Sequence, residues 1–472
     1  MKSYRIFVFL ILFGATVAAS ANGVSQYVPV NVDPVVERDI ERLAVYANLT
    51  DLTRPYSVAL IQQGLGHIES SHPGLHRRLE RYLAKFQKRL AVSHAAIAVE
   101  TSDGDIDAPR VNRRGSSTEQ SVALSFRSHA QVSDWLMLSA GGEVSDDVTQ
   151  ASGSLLSVGT SWAQVDIGYK EYWLSPFMGS SQLLSSHAQT LPSVSLSNNL
   201  PITFFDMGFN YEFFVAQLSK QPTAFNGGYS DDEPPLLASV HLSFQPLPWW
   251  IIGATRNFQF GGGERDVSLS TLAKAFYDPR GADNDASIDE ESGNQVASVA
   301  SKMIFDGAMP FSFNVELAGE DTSNNKNYQL GNPALTAGLF FPAFFTDSLS
   351  LVYEYADWDS AWYVNHVYQE GYTNEGFVLG HWAMQDQYAG SSAVPGTSHL
   401  LGAQWWTPWR HILDINLRTA AHDSEKYQSA WNVDVDYFMP VKSNARIGLG
   451  AFFGQDSFDQ SFLQLRVTAQ WL

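Results

Sequence analysis

The stretch Trp431-Asn432-Val433-Asp434-Val435-Asp436-Tyr437-Phe438 sets Trp431, Val433, Val435 and Tyr437 on one side and Asn432, Asp434 and Asp436 on the other. Successive side chains of a strand point to opposite faces, so this period of two describes one apolar and one polar face. The pattern recurs on both sides of it. Leu413, Ile415 and Leu417 oppose Asp414, Asn416 and Arg418; Leu463, Leu465, Val467, Ala469 and Trp471 oppose Gln464, Arg466, Thr468 and Gln470. A strand of a soluble sandwich reads the same way as a strand of a membrane barrel. The connections separate the two.

Read back from Leu472, tight turns at 440–444, 406–410, 342–347, 306–310, 246–248, 160–161 and 133–134 alternate with longer segments. The longer ones are 421–427, 358–397, 320–333, 261–293, 219–235 and 174–190. Short turns at one end and long loops at the other are the anatomy of an outer-membrane barrel. The scheme predicts an all-β membrane protein with about eighteen antiparallel strands, an even number that returns the C-terminus to the periplasmic side. Trp249-Trp250 and Trp405, Trp406 and Trp409 flank short turns, as an interfacial aromatic girdle does. Segment 174–190 carries Phe177, Leu183 and Leu184, which predicts that it folds into the lumen.

Helical spacing is confined to the region before the strands. Asp33-Pro34, Pro55 and Pro73 each precede apolar residues at helical intervals: Val36, Ile40 and Leu43; Val58, Ile61 and Leu65; Leu75, Leu79 and Leu83. Arg77, Arg78, Arg81, Lys85, Lys88 and Arg89 line the polar side of the third, either as a solvated face or as a docking face. Further upstream, Lys2 and Arg5 precede the apolar run Ile6 to Val17 and then Ala19-Ser20-Ala21, the pattern of an export signal. The expected organisation is a signal peptide over 1–21, a periplasmic helical bundle or plug over 22–92 and a transmembrane barrel over 93–472.

Composition excludes several functions. The 472 residues carry a net charge of −20, against the basic footprint of a nucleic-acid binder, so no nucleic-acid partner is expected. With no cysteine there is neither a disulfide framework nor thiolate chemistry. No cofactor is implied.

At 162–198 the chain resembles a known family. Trp162-Ala163-Gln164-Val165-Asp166-Ile167-Gly168-Tyr169-Lys170-Glu171-Tyr172-Trp173-Leu174-Ser175-Pro176 is similar to the signature of the Wzi capsule-assembly family. Ser180, Leu183-Leu184-Ser185, Ala188-Gln189-Thr190, Pro192 and Leu196-Ser197-Asn198 continue it, and Asp33-Pro34, Asp39-Ile40-Glu41 and Leu43-Ala44 resemble its first helix. Arg54-Pro55 stands where some members carry Trp-Pro. The resemblance implies an outer-membrane lectin that binds and retains capsular or other surface polysaccharide. Outer-membrane lipids and polysaccharide export machinery are the partners it implies. A diffusion porin is the alternative, because a barrel of this size has an aqueous lumen unless something fills it.

Sugars are held by aromatic faces and planar polar groups. In the longest loop, Tyr368, Tyr372, Trp382 and Tyr388 are the candidate stacking rings, while Trp358 and Trp362 fit the outer girdle. Tyr372, Trp382 and Tyr388 are expected at the loop's outer reach. Arg265 and Arg280 are the candidate cations for an anionic sugar, needed because the acidic surface repels one. The run Asp283 to Asn294 has oxygen donors at calcium-loop intervals but Ile288 where glycine is required, so it reads as a solvated acidic loop and no metal site is expected. His241-Leu242-Ser243 and His422-Asp423-Ser424 match the His-x-Ser of outer-membrane phospholipase A without the Asn-Gly that follows it there. The chain is not expected to be an enzyme.

Overall fold

A computed structural model describes residues 23–471 apart from 51, 266, 268–292, 321–330, 390–392 and 443. The signal peptide read over 1–21 lies outside the described residues. Eighteen antiparallel strands close a barrel, the first strand, Leu90–Gly104, pairing with the last, Ser461–Trp471. Their register runs from Ala95 opposite Trp471 to Gly104 opposite Phe462. The first strand begins ahead of the boundary expected at 93, because Leu90 and Val92 already point outward in the alternating pattern, 75% and 65% exposed. No helix among the described residues is long and apolar enough to cross a membrane.

The alternation in the sequence is the alternation of the wall. Val99, Leu124, Leu449, Leu465 and Val467 are exposed on its outside, while Glu100, Asp414, Arg418, Asn432 and Arg466 are buried inside. An exposed apolar band of this kind is covered by acyl chains, which puts the barrel in an outer membrane. Trp135, Trp249, Trp405, Trp409 and Trp471 ring its periplasmic edge. Trp406 turns inward instead, where the Arg78 guanidinium sits 4.5 Å from its ring centre.

Three helices, α1 (Pro34–Tyr46), α2 (Val58–Ile68) and α3 (Pro73–Leu83), fill the lower lumen. The Asp33 carboxylate caps α1 by accepting from the Val35 and Val36 amides, and Pro34 at the first turn needs no acceptor. Ile40, Leu43, Ile61, Leu65, Ile68, Leu79 and Leu83 form the core between the helices. α1 is buried on all sides, including Arg38, Asp39, Glu41 and Arg42, because its polar side meets the polar inner wall. Asp33 pairs with Arg446, Arg38 approaches Asp414 at 3.9 Å and Glu41 approaches Lys302 at 3.6 Å. The basic side of α3 divides: Arg78 bonds Asp39 on α1, whereas Arg77 and Arg81, and beyond the helix Lys88 and Arg89, are exposed.

One titration bears on this docking. Burial pushes the Glu37 carboxyl up to about 7, against the pull of backbone N–H donors at its N-terminal side and of the Arg54 charge. An acid raised in the folded state stabilises it fully below its ordinary 4.5, and that stabilisation is lost as pH rises through about 7. The helices should therefore resist urea more strongly at pH 5 than at pH 8, by something on the order of 3 kcal/mol. Glu37→Gln should flatten the difference; an unchanged slope in that variant would assign the pH response to another group.

The upper lumen is filled from outside. Residues 169–192 and 358–387 turn inward, and their side chains share one apolar core: Tyr172, Leu174, Leu183, Trp358, Trp362, Tyr363, Tyr372, Leu379 and Trp382. The inward fold expected of 174–190 is present, with Phe177 and Leu183 buried. Trp358 and Trp362 are not girdle residues: each is 2% exposed in this inner core. Large rings bury more area against one another in the lumen than at a lipid boundary.

Candidate functional site

The motif at 162–176 sits where wall, plug and upper loops meet. Gln164 and Asp166 lie on the inward side of strand Gln164–Gly168. The Gln164 amide bonds both backbone groups of Ser25, and Asp166 accepts from the Tyr27 hydroxyl at 2.8 Å. Lys170 joins Asp166 at 3.2 Å and Glu212 at 2.5 Å. Glu171 accepts from Arg114 at 2.8 Å and Arg127 at 2.6 Å while its second oxygen takes the Val30 amide. Trp173 exchanges backbone bonds with Arg54, whose guanidinium bonds Glu41 and the Phe177 carbonyl. Each charge is buried and paired, as burial requires. The motif thus clamps residues 25–30 and the helices to the wall; its chemistry is positional.

The surface that faces outward is built by three loops. Strands Thr223–Phe225 and Gly228–Ser230 form a hairpin, with Asn226 and Gly227 at φ 50° and 75°, the left-handed pair that a type I′ turn requires. Ala224 donates its N–H to the Val367 carbonyl at 2.8 Å, and Gln369 donates its N–H to Pro222 at 3.0 Å. Arg265 reaches the Ala224 carbonyl from the third loop at 2.6 Å. Directly across the hairpin from Ala224 stands Tyr229, its ring 60% exposed. Asp231, Asp232, Glu233 and Glu264 are exposed around it, with Gln369 and His366 alongside.

The residues singled out from sequence separate on this surface. Arg265 lies on it, half-buried. Tyr372 is 1% exposed and Trp382 7%, so neither stands at the loop's outer reach, and Tyr368 is buried as well at 1%. The Tyr368 hydroxyl donates to the Gly261 carbonyl and the Tyr372 hydroxyl accepts from the Asn257 amide, both bonds to the inner wall. They hold the surface up from beneath. Tyr388 falls in the short helix Gln385–Ala389, its side chain outside the described residues; Arg280 and the acidic run 283–292 also lie outside them. Tyr229 went unremarked in the sequence, although Asn226-Gly227 between Phe225 and Tyr229 is a hairpin signal. Of the two His-x-Ser pairs, His241 meets the Thr255 hydroxyl and His422 the Ala383 carbonyl. No group of three or more His, Asp or Glu side chains that could hold a metal occurs among the described residues.

A closed barrel that holds helices and loops inside it, with its signature spent on securing them, defines a class of outer-membrane proteins. Within it the chain belongs to the family of the capsule assembly protein Wzi, which it matches over residues 91–469. It is similar to the Escherichia coli Wzi structure, described as an outer-membrane protein involved in group 1 capsule assembly and a carbohydrate-binding β-barrel. The TM-score is 0.72 at 14% identity, over 95% of this chain and 99% of that one. Pseudomonas aeruginosa OccK3 (OpdO) aligns over 80% of this chain and 94% of its own, with TM-score 0.49 and 10% identity. OprD from the same organism aligns over 81% and 93%, with TM-score 0.47 and 8% identity. No curated protein sequence matches the chain.

Proposed function

We propose that this protein binds exported capsular or related surface polysaccharide and retains it at the cell surface, through the platform of the hairpin 223–230, Arg265 and Gln369. The observation that carries this reading is the inward fold of 169–192 and 358–387. It occupies the lumen that diffusion would need and leaves a backbone-knit surface outside. Membership of a capsule-assembly family supports the substrate class, as does the carbohydrate binding described for the E. coli protein. Tyr229 supplies a ring face for sugar C–H bonds, Gln369 a planar amide, and Arg265 a local cation within an acidic surround that repels an anionic chain elsewhere. Outer-membrane lipids surround the wall, and export machinery delivers the polymer.

The host's own purified surface polysaccharide is the ligand to use. Tyr229→Ala should weaken its binding about tenfold, or about 1.4 kcal/mol, with the heat-modifiable gel shift of the barrel intact. Undiminished binding by Tyr229→Ala combined with Arg265→Gln would remove the platform from consideration.

A further inference from the structure

Between the plug and one side of the wall the lumen is not filled. A cavity of about 150 Å³ lies beside the strands that start the barrel and those that end it, lined by Glu100, Arg110, Arg113, Asp436 and Arg466 among others. A second, of about 90 Å³, adjoins it and shares Asn31, Pro34, Arg113 and Asp436; Arg38 and Arg418 line it. A third, of about 10 Å³, lies by the helices and is lined by Val32, Asp33, Glu37, Tyr82, Lys85 and His94. It shares Val32 with the first and Glu37 with the second, so the three form one seam running down past the N-terminus of α1.

Chemistry says that this seam is wet. Arg38 Nε and Nη1, Arg418 Nε and Arg466 Nη1 are buried without an acceptor in the protein. A buried guanidinium N–H lacking a protein acceptor takes a water when polar space adjoins it, and the two larger cavities provide that space. Only the narrow third cavity, with room for about one water, interrupts the line. Asp33, the cap of α1, lines it and pairs with Arg446 on the wall. On the opposite side of the plug Leu52 packs against Ile251 and Ala300, and Lys302 meets Glu41, whose other side lines the second cavity.

We propose that the barrel passes small inorganic ions along this seam, through a constriction that the Asp33–Arg446 pair holds shut. This activity is separate from polysaccharide binding and needs none of the platform residues. The charges left at the constriction fix which ion passes. Without the Arg446 charge, Asp33 and Glu37 face the seam and favour cations. Without the Asp33 charge, Arg446 and Lys85 outweigh Glu37 and favour anions.

The test is planar-bilayer recording of the full mature chain in a KCl gradient, with heat-modifiable migration confirming each variant's fold. The intact protein should be closed for most of the record. Arg446→Gln and Asp33→Asn should both conduct, with reversal potentials of opposite sign. Lys302→Gln, on the opposite wall, should stay closed as the intact protein does. Silence from both seam variants, reversal potentials of one sign, or equal conduction by Lys302→Gln would each overturn the proposal. If Arg446→Gln does not fold, a cation-selective Asp33→Asn or a silent one overturns it alone, and an anion-selective one supports it.

Discussion

Arg54→Ala is expected to release the helical plug while the barrel stays closed. Arg54 donates to the Glu41 carboxylate through Nε at 3.2 Å and again through Nη2, and to the Phe177 carbonyl through Nη1 at 2.7 Å. It touches helix and upper loop together. Burial alone would push the Glu41 carboxyl up; Arg54 and Lys302 outweigh it and hold that carboxyl well below its ordinary range. Removing one partner of a buried pair leaves the other charge uncompensated, a loss of about 3–5 kcal/mol. Trypsin should then cut within 77–89, where Arg77, Arg81, Lys88 and Arg89 are already exposed, while heat-modifiable migration persists. Arg54→Lys should recover little, since a lysine cannot make the forked contact. Wild-type resistance to trypsin in Arg54→Ala would show that the junction does not hold the plug.

Tyr372→Ala with Trp382→Ala should disorder the outer loops and reduce polysaccharide retention as a consequence. Both rings lie in the upper-lumen core, and deleting a buried aromatic costs about 3–5 kcal/mol. Tyr372 also gives up its bond with Asn257, leaving that amide buried without it. The signature of this mechanism is joint loss: protease sensitivity of 359–389 rises together with the fall in binding. Tyr229→Ala should lower binding with protease resistance unchanged. Loss of binding in the double variant with loops as resistant as wild type would return these rings to direct sugar contact.

How far the residues could be read depended on whether a local pattern set the outcome. The wall was legible because each strand repeats the same two-residue contrast, and Trp431 to Phe438 behaves as its alternation requires. The short turns read from the sequence fall within about three residues of the observed ones for the same reason, whereas the turn at 205–206 went unread. The loop aromatics were not. A Trp in a long loop reads alike whether it meets lipid, sugar or another loop; only the inward paths of 169–192 and 358–387 decide that Trp358, Trp362 and Tyr372 meet each other. The resemblance at 162–176 identified the family without revealing its role, yet a signal was present. Asp166, Lys170 and Glu171 are charges beside an outward apolar face, and charges on the inner register need partners inside. Gly450 shows how such partners are allowed: a Cβ there would lie 2.4 Å from Arg466 Nε, so only glycine lets Arg466 reach across to Asp434 and Asp436 at 2.7 Å each.

The pairing of Asp33 with Arg446 joins residues 413 positions apart. The helices leave the ribosome long before the strand that secures them is made. A barrel sealed from Leu90–Gly104 to Ser461–Trp471 with its outer loops already seated offers no entrance wide enough for three helices. Biogenesis must therefore keep the sheet open at that seam, hold residues 25–83 against the half-built wall through their contacts with 162–176, and close last. Contacts of such separation form slowly. The early clamp is what makes the late closure productive: it keeps the N-terminal segment in place for the whole time that the remaining strands take to arrive.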